Sequence, residues 1–155
     1  DETERGYSAI QSTRPQTLGY ALNDSPVGLA AWLVEKWRAW SDSGGDVDAH
    51  LGRDHLLTTI TLYWATGSIT SSMRDYVDNR FHGHPIGPDD RVRVPTAMAV
   101  FPHEFVPEGE PPRSLVERLY DVTRWTVLPR GGHFAAAEEP DLLADDARAT
   151  RDSAA

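Results

Sequence analysis

The residues best placed to do chemistry in this sequence are a histidine on a glycine loop and a carboxylate that precedes it. Leu128-Pro129-Arg130-Gly131-Gly132-His133-Phe134 closes a β-like run, Trp125-Thr126-Val127-Leu128, and leads into the helix-forming Ala135-Ala136-Ala137-Glu138-Glu139-Pro140. The glycines let the backbone turn sharply and leave room around the imidazole. A loop at the C-terminal edge of a strand is also where an open α/β sheet carries its site. Taken alone, a Gly-Gly-His is more often a surface turn than a site. Glu104 strengthens the functional reading, because it too follows a strand-like run, Ala97-Met98-Ala99-Val100-Phe101. Parallel strands would bring both ends to one sheet edge, where a carboxylate could orient an imidazole acting as a base. His103 is the rival for that contact, but its side chain is expected to point the other way along the strand.

The elements that must position this pair follow from the pattern. Residues 91–150 read strand–helix–strand–helix, with strands over 96–101 and 122–128 and helices over 114–119 and 139–150. Pro95 argues against regular pairing before residue 96. The apolar run 97–101 is what a parallel strand covered on both faces carries. Residues 1–80 are mainly helical. The charged residues 1–6 are expected to be a disordered end, and Gly6–Thr13 a loop broken by Arg14-Pro15. Thr17–Leu22 forms at most a helical turn. Asn23-Asp24-Ser25-Pro26 is a helix start, with Asp24 among the capping side chains, and Val27, Leu29, Ala30, Leu33, Val34, Trp37 and Trp40 give helix 26–41 its stripe. Its tryptophans, Trp32 included, read as core packing. Ser41–Gly52 reads as a loop. A second helix from Arg53-Asp54 buries Leu56, Leu57, Ile60, Tyr63 and Trp64, and a further piece over 68–79 is kinked from it at Gly67. Gly83, Pro85, Gly87 and Pro88 mark a connection, which divides the chain into a helical region, 1–90, and an α/β region, 91–155. A loose tail follows the last helix. No internal repeat is present.

Composition excludes several classes. The 155 residues allow one domain or a piece of a larger one, and five tryptophans supply a real core. A net charge of -9 argues against nucleic acid or an anionic membrane as partner. Without cysteine there are no disulfides or thiolate metal sites. His50 and His55, with Asp48 and Asp54 nearby, do not share a helical face, so no metal is expected there. No apolar run spans a bilayer and no signal peptide is visible, which points to a soluble, cytoplasmic chain. The chain opens Asp1-Glu2-Thr3-Glu4-Arg5, with no initiating methionine and no Gly-rich strand–turn–helix unit ahead of these features. The expectation is a chain that starts in the middle of a fold.

An acid and then a histidine, each after its own strand, is the order of an α/β-hydrolase triad once its nucleophile has been passed. Beyond that order, five stretches together resemble the C-terminal half of microsomal-type epoxide hydrolases, α/β-hydrolase-fold enzymes with a helical cap. They are 11–17 (Gln-Ser-Thr-Arg-Pro-Gln-Thr), 23–32 (Asn-Asp-Ser-Pro-Val-Gly-Leu-Ala-Ala-Trp), 62–64 (Leu-Tyr-Trp), 101–104 (Phe-Pro-His-Glu) and 130–136 (Arg-Gly-Gly-His-Phe-Ala-Ala). The resemblance runs from about Gly6 to Ala149, and its stretches occur in the family's order. It implies a partial α/β-hydrolase fold, a helical cap followed by the last strand–helix–strand–helix of the sheet.

What the resemblance implies for the site is specific. His133 matches the general base and Glu104 the acid that orients it. Tyr76 and Tyr7 match the two cap tyrosines that hold the epoxide oxygen, one of which supplies its proton on ring opening. Read without the resemblance, both tyrosines are equally packing residues. The implied reaction adds water to an epoxide through an ester and gives a vicinal diol, an ether-bond hydrolysis of the detoxification type. The implied partners are a small apolar epoxide and water, with no cofactor. Tyrosine suits the donor role because its ordinary pKa of about 10 keeps it protonated at neutral pH. The family's aspartate nucleophile and oxyanion-hole loop would lie before residue 1. Asp24, Asp54 and Asp75 sit at or within helices and do not replace it. The chain alone is therefore expected to be inactive, and its short sheet to be poorly stable or to associate with another copy or half. The other readings are a lobe that pairs with a separately encoded N-terminal half, a degenerate or wrongly started gene product, or another hydrolase on this fold such as an esterase or dehalogenase.

Overall fold

Proline, glycine and serine punctuate this chain, and most element boundaries fall on them. In the computed structural model, which describes residues 2–87, 89–105 and 111–153, a 3-10 turn at Glu2–Arg5 runs into α1, Gly6–Gln11. This corrects the expectation of a disordered end and a loop. Thr13 Oγ1 donates to the Ala9 carbonyl at 2.6 Å, and the Ser12 and Arg14 amides donate to Ser8 and Ile10. Those bonds satisfy the carbonyls a short helix leaves open at its end. α2, Pro15–Asp24, starts on its proline and is longer than the single turn expected.

α3 spans Pro26–Trp40. Its cap is Ser25, whose Oγ accepts the Gly28 amide at 3.0 Å, while Asp24 ends α2 instead of capping α3. The stretch read as a loop before Gly52 contains α4, Val47–Leu51, where Asp46 Oδ1 accepts the Ala49 amide at 3.1 Å. α5, Arg53–Thr66, and α6, Ile69–His82, are two helical pieces that divide at Gly67, as expected. Gly67 closes α5 in the left-handed region at φ 62°, which a residue with a side chain rarely adopts.

The chain divides into two compact units, Asp1–Lys36 with Leu51–Pro85, and Trp37–His50 with Ile86–Ala155. Residues 37–50 thus belong with the α/β region and not with the helical one. Trp37 and Trp40 bring them there, since both are buried, and Trp40 stacks on Phe105 at 5.1 Å.

The first unit buries Leu22, Leu29, Leu56, Ile60, Ile69 and Met73, with Leu29 and Met73 fully enclosed. α2 packs on α6 through Gly19, where a Cβ would lie 2.3 Å from Thr70 Oγ1, and Asn23 Nδ2 donates to that hydroxyl at 2.7 Å. The stripe expected on α5 is narrower than drawn: Leu56 and Ile60 are buried, but Leu57 and Trp64 are 54% and 45% exposed. Those two lie seven residues, about two helical turns, apart and so share a face, which α5 turns outward. Val27 of α3 is exposed as well.

The second unit is built on two parallel strands, β1 (Val92–Val100) and β2 (Tyr120–Val127), joined through α7, Arg113–Leu119. β1 begins before Pro95, contrary to expectation. Pro95 is accommodated by register shifts between Val92 and Pro95 and between Thr96 and Ala97, so its missing N–H falls in irregular pairing. From Ala97↔Arg124 to Val100↔Val127 the ladder is regular. The strand is not covered on both faces as expected: residues 96–100 are half-buried, and Val94 and Val127 are exposed. Among the described residues, one further strand, β2, pairs with it and the last helix, Pro140–Ser153, packs against it. Two helices follow β2, α8 (Ala135–Glu138) and α9 (Pro140–Ser153). Arg124 on β2 donates through Nε and Nη2 to Asp146 Oδ1 on α9, at 3.0 and 2.8 Å. Pro88 and the tail at 154–155 lie outside the described residues.

Candidate active site

The strand pairing decides what meets at the sheet edge. Beyond the ladder the two chains stay side by side: the Leu128 amide donates to the Val100 carbonyl at 2.8 Å, and the His103 amide to Gly131 at 3.0 Å. His103 and Gly132 form a final parallel bridge. One residue further on each chain stand Glu104 and His133, and His133 Nδ1 lies 2.5 Å from Glu104 Oε1. Both side chains remain partly open, at 42% and 37% of their surface. With Nδ1 donating to the carboxylate, Nε2 carries the free lone pair and is the atom that can take a proton from water. His103 turns to a different acid, Asp42, at 3.1 Å.

The loop carrying His133 is held at each backbone amide. Gly131 N–H donates to Asp42 Oδ2 (3.0 Å), Gly132 N–H to Glu138 Oε2 (3.0 Å), His133 N–H to the Trp40 carbonyl (2.9 Å) and Phe134 N–H to Glu138 Oε1 (2.9 Å). Glycine is required at both positions of the turn. Gly131 has φ 101°, and a Cβ on Gly132 would stand 2.6 Å from the Trp40 carbonyl oxygen. The imidazole packs edge-to-face on Trp40 at 5.2 Å and on Phe134 at 5.0 Å. Asp42, Glu138 and this use of Trp40 were not singled out from the sequence. Glu138 had one local signal, an acid directly after the histidine loop, which reads as a helix-start residue. Asp42 had none.

In the first unit, Tyr7 on α1 and Tyr76 on α6 meet edge-to-face with ring centres 5.9 Å apart. Burial, above all, and a hydrogen bond to Tyr76 push the Tyr7 phenol up to about 12, with Tyr76 and Glu4 adding to the effect. Tyr7 is therefore a neutral donor over the whole physiological range. Lys36 Nζ lies 5.2 Å over the Tyr7 ring and 3.4 Å from Glu4 Oε2, a contact the sequence did not indicate.

Among the described residues no group of three or more His, Cys, Asp or Glu side chains could hold a metal ion, and His50 Nε2 instead lies 3.3 Å from Glu138 Oε2. No helix among them is long and apolar enough to cross a membrane.

No protein-family model matches the chain. It is 45% identical over 154 residues to epoxide hydrolase 1 of Sus scrofa, covering 94% of this chain and 33% of that protein. It is 44% identical over 151 residues to juvenile hormone epoxide hydrolase 2 of Ctenocephalides felis, covering 92% and 32%. In three dimensions it matches the crystal structure of juvenile hormone epoxide hydrolase from the silkworm Bombyx mori with a TM-score of 0.86 at 33% identity, over 97% of this chain and 40% of that one. The chain spans about a third of the length of the curated relatives it matches. It is homologous to the epoxide hydrolases over that third, and its architecture is the corresponding part of an α/β-hydrolase fold.

Proposed function

We propose that the protein serves epoxide hydrolysis, adding water to an epoxide to give a vicinal diol. The observation that carries this reading is the 2.5 Å contact between His133 Nδ1 and Glu104 Oε1 at the end of two parallel strands. In the reaction, a carboxylate attacks an epoxide carbon, the C–O bond opens, and the oxygen takes a proton from a phenol. Tyr7 and Tyr76 are the donors in this reading, supported by their mutual contact and by the neutral state that burial imposes on Tyr7. His133 Nε2 then removes a proton from water as that water attacks the ester carbonyl, and Glu104 stabilises the imidazolium formed. The ester C–O bond breaks to release the diol and regenerate the carboxylate, and the imidazolium proton goes back to restore the phenol. The substrate would be a small apolar epoxide, and the role detoxification by opening the strained ether.

Asp24, Asp54 and Asp75 do not fit the attacking carboxylate, and Asp42, beside the histidine loop, is taken up by the Gly131 amide and His103. Asp24 ends α2, and Asp54 and Asp75 lie within α5 and α6. Residues 1–155 alone are therefore expected to show no turnover. Incubation of the purified polypeptide with styrene oxide, followed by chromatography for the diol, tests this; diol formation abolished by His133→Ala would overturn it. A second reading is favoured by the bare strands, with Val94 68% and Val127 67% exposed. On it, the chain is a lobe completed by a separately encoded half that carries the nucleophile. Co-expression with such a half should restore turnover, and absence of any association would remove this reading.

A further inference from the structure

The His133 loop owes its shape to one carboxylate that lies outside the acid–base pair. The Glu138 side chain is completely buried, with no exposed surface. Its Oε2 accepts the amides of Asp42 at 2.7 Å and Gly132 at 3.0 Å and lies 3.3 Å from His50 Nε2, while Oε1 accepts the amide of Phe134 at 2.9 Å. A buried charge persists only when such partners replace the water it has lost. Here they are not scattered. Gly132 and Phe134 flank His133 in the chain, and each is bound to a different oxygen of the same carboxylate.

We propose that Glu138 is the positioning residue for His133, acting through the backbone and not through the imidazole. The Phe134 N–H lies in the peptide plane that follows the His133 Cα, and the Gly132 N–H in the plane one residue before His133. The plane between them carries the His133 N–H held by the Trp40 carbonyl. Three successive planes are thus fixed, and with them the direction of the His133 Cα–Cβ bond. The same oxygen that holds Gly132 holds the Asp42 amide. That draws in the neighbouring segment, whose Trp40 carbonyl accepts the His133 amide and whose Asp42 carboxylate accepts that of Gly131. The imidazole is thereby aimed so that Nδ1 meets Glu104, which keeps the proton on Nδ1 and leaves Nε2 free. The consequence for turnover rests on the epoxide hydrolase reading; the positioning itself does not.

The test uses the 155-residue polypeptide and Glu138→Gln. Glutamine offers a single acceptor oxygen, so one flank of His133 must lose its partner, and an amide N–H₂ must face a backbone N–H. Hydrogen exchange should speed up about tenfold or more at Gly132 or Phe134. The ring nitrogen shifts of His133 should also move away from the Nδ1–H form expected of the parent chain, toward that of Glu104→Gln. Asp42→Asn is the comparison: it should loosen Gly131 and leave Gly132 and Phe134 protected. Unchanged exchange and an unchanged His133 tautomer in Glu138→Gln would overturn the proposal. If that variant does not fold, the parent chain still decides, because free exchange of its Gly132 and Phe134 amides would also overturn it. None of these readouts involves an epoxide. Failure of a completed enzyme to hydrolyse one would remove the functional reading and leave the positioning role standing.

Discussion

The carbonyl oxygen of Trp40 accepts the backbone N–H of His133 at 2.9 Å, and the indole of the same residue meets the imidazole edge-to-face with ring centres 5.2 Å apart. A tryptophan at the end of α3 thus braces the base through both its backbone and its ring. It is buried and also stacks on Phe105 and Phe134. Trp40→Ala removes three ring contacts at once and is expected to destabilise the chain by about 3–5 kcal/mol. Trp40→Phe keeps the carbonyl and part of the stack and should cost clearly less. Urea unfolding of the two variants checks the order, and equal stability of Trp40→Ala and the parent would contradict it.

Gly132 has no room for a side chain. An added Cβ would meet the Trp40 carbonyl oxygen at 2.6 Å and the His103 carbonyl oxygen at 3.1 Å, both backbone atoms that no rotamer can move. Gly132→Ala should therefore cost about 1–3 kcal/mol by overpacking. Gly6→Ala, where nothing lies within 4 Å, should be close to neutral. Thermal unfolding of both variants gives the comparison, and it fails if the two are equally stable.

The Tyr7 phenol gives a pH signature. Burial, the Tyr76 hydrogen bond and nearby Glu4 push it from 10.0 to about 12, so folding favours the neutral form. That contribution to stability is complete below the unfolded value near 10 and is lost as pH rises through about 12. Phenolate absorbance should show a tyrosine titrating late, and it should be missing in Tyr7→Phe. Tyr76→Phe removes the second cause but not the first, so the late titration should move only part of the way back. An alkaline titration identical in the parent and Tyr7→Phe would count against this assignment.

Glu104 has a consequence for the second half of the reaction. In an enzyme completed by a nucleophile-bearing half, Glu104→Gln keeps the shape but no longer holds the proton on Nδ1. Turnover should fall by about 10³–10⁴. Ester formation depends on the phenols and the nucleophile, so His133→Gln should leave a substrate-sized mass increment on the enzyme. Mass spectrometry after a short incubation reads it directly. Full turnover in either variant would exclude the pair from the reaction.

The helix start at Ser25-Pro26, the helix over Pro26–Trp40, the two strands and the crossover helix between them were legible in the linear order, because each rests on local rules: a cap, a fixed proline torsion, a period of apolar residues. So was the meeting of Glu104 and His133, since residues that follow two parallel strands arrive at one edge. Short helices escaped. α1 and α4 are too brief to show a period, and each depends on end hydrogen bonds or on tertiary packing. Which face of α5 is covered also escaped, because Leu57 and Trp64 are as apolar as the buried Leu56 and Ile60. Only the tertiary structure decided that residues 37–50 join the α/β unit, that Asp42 serves His103 and Gly131, and that Glu138 lies beneath the histidine loop. The physical reason is the same for all three. A carboxylate distant in sequence, or one whose partners are backbone amides, leaves no pattern in the order of side chains, because every residue except proline offers the same N–H.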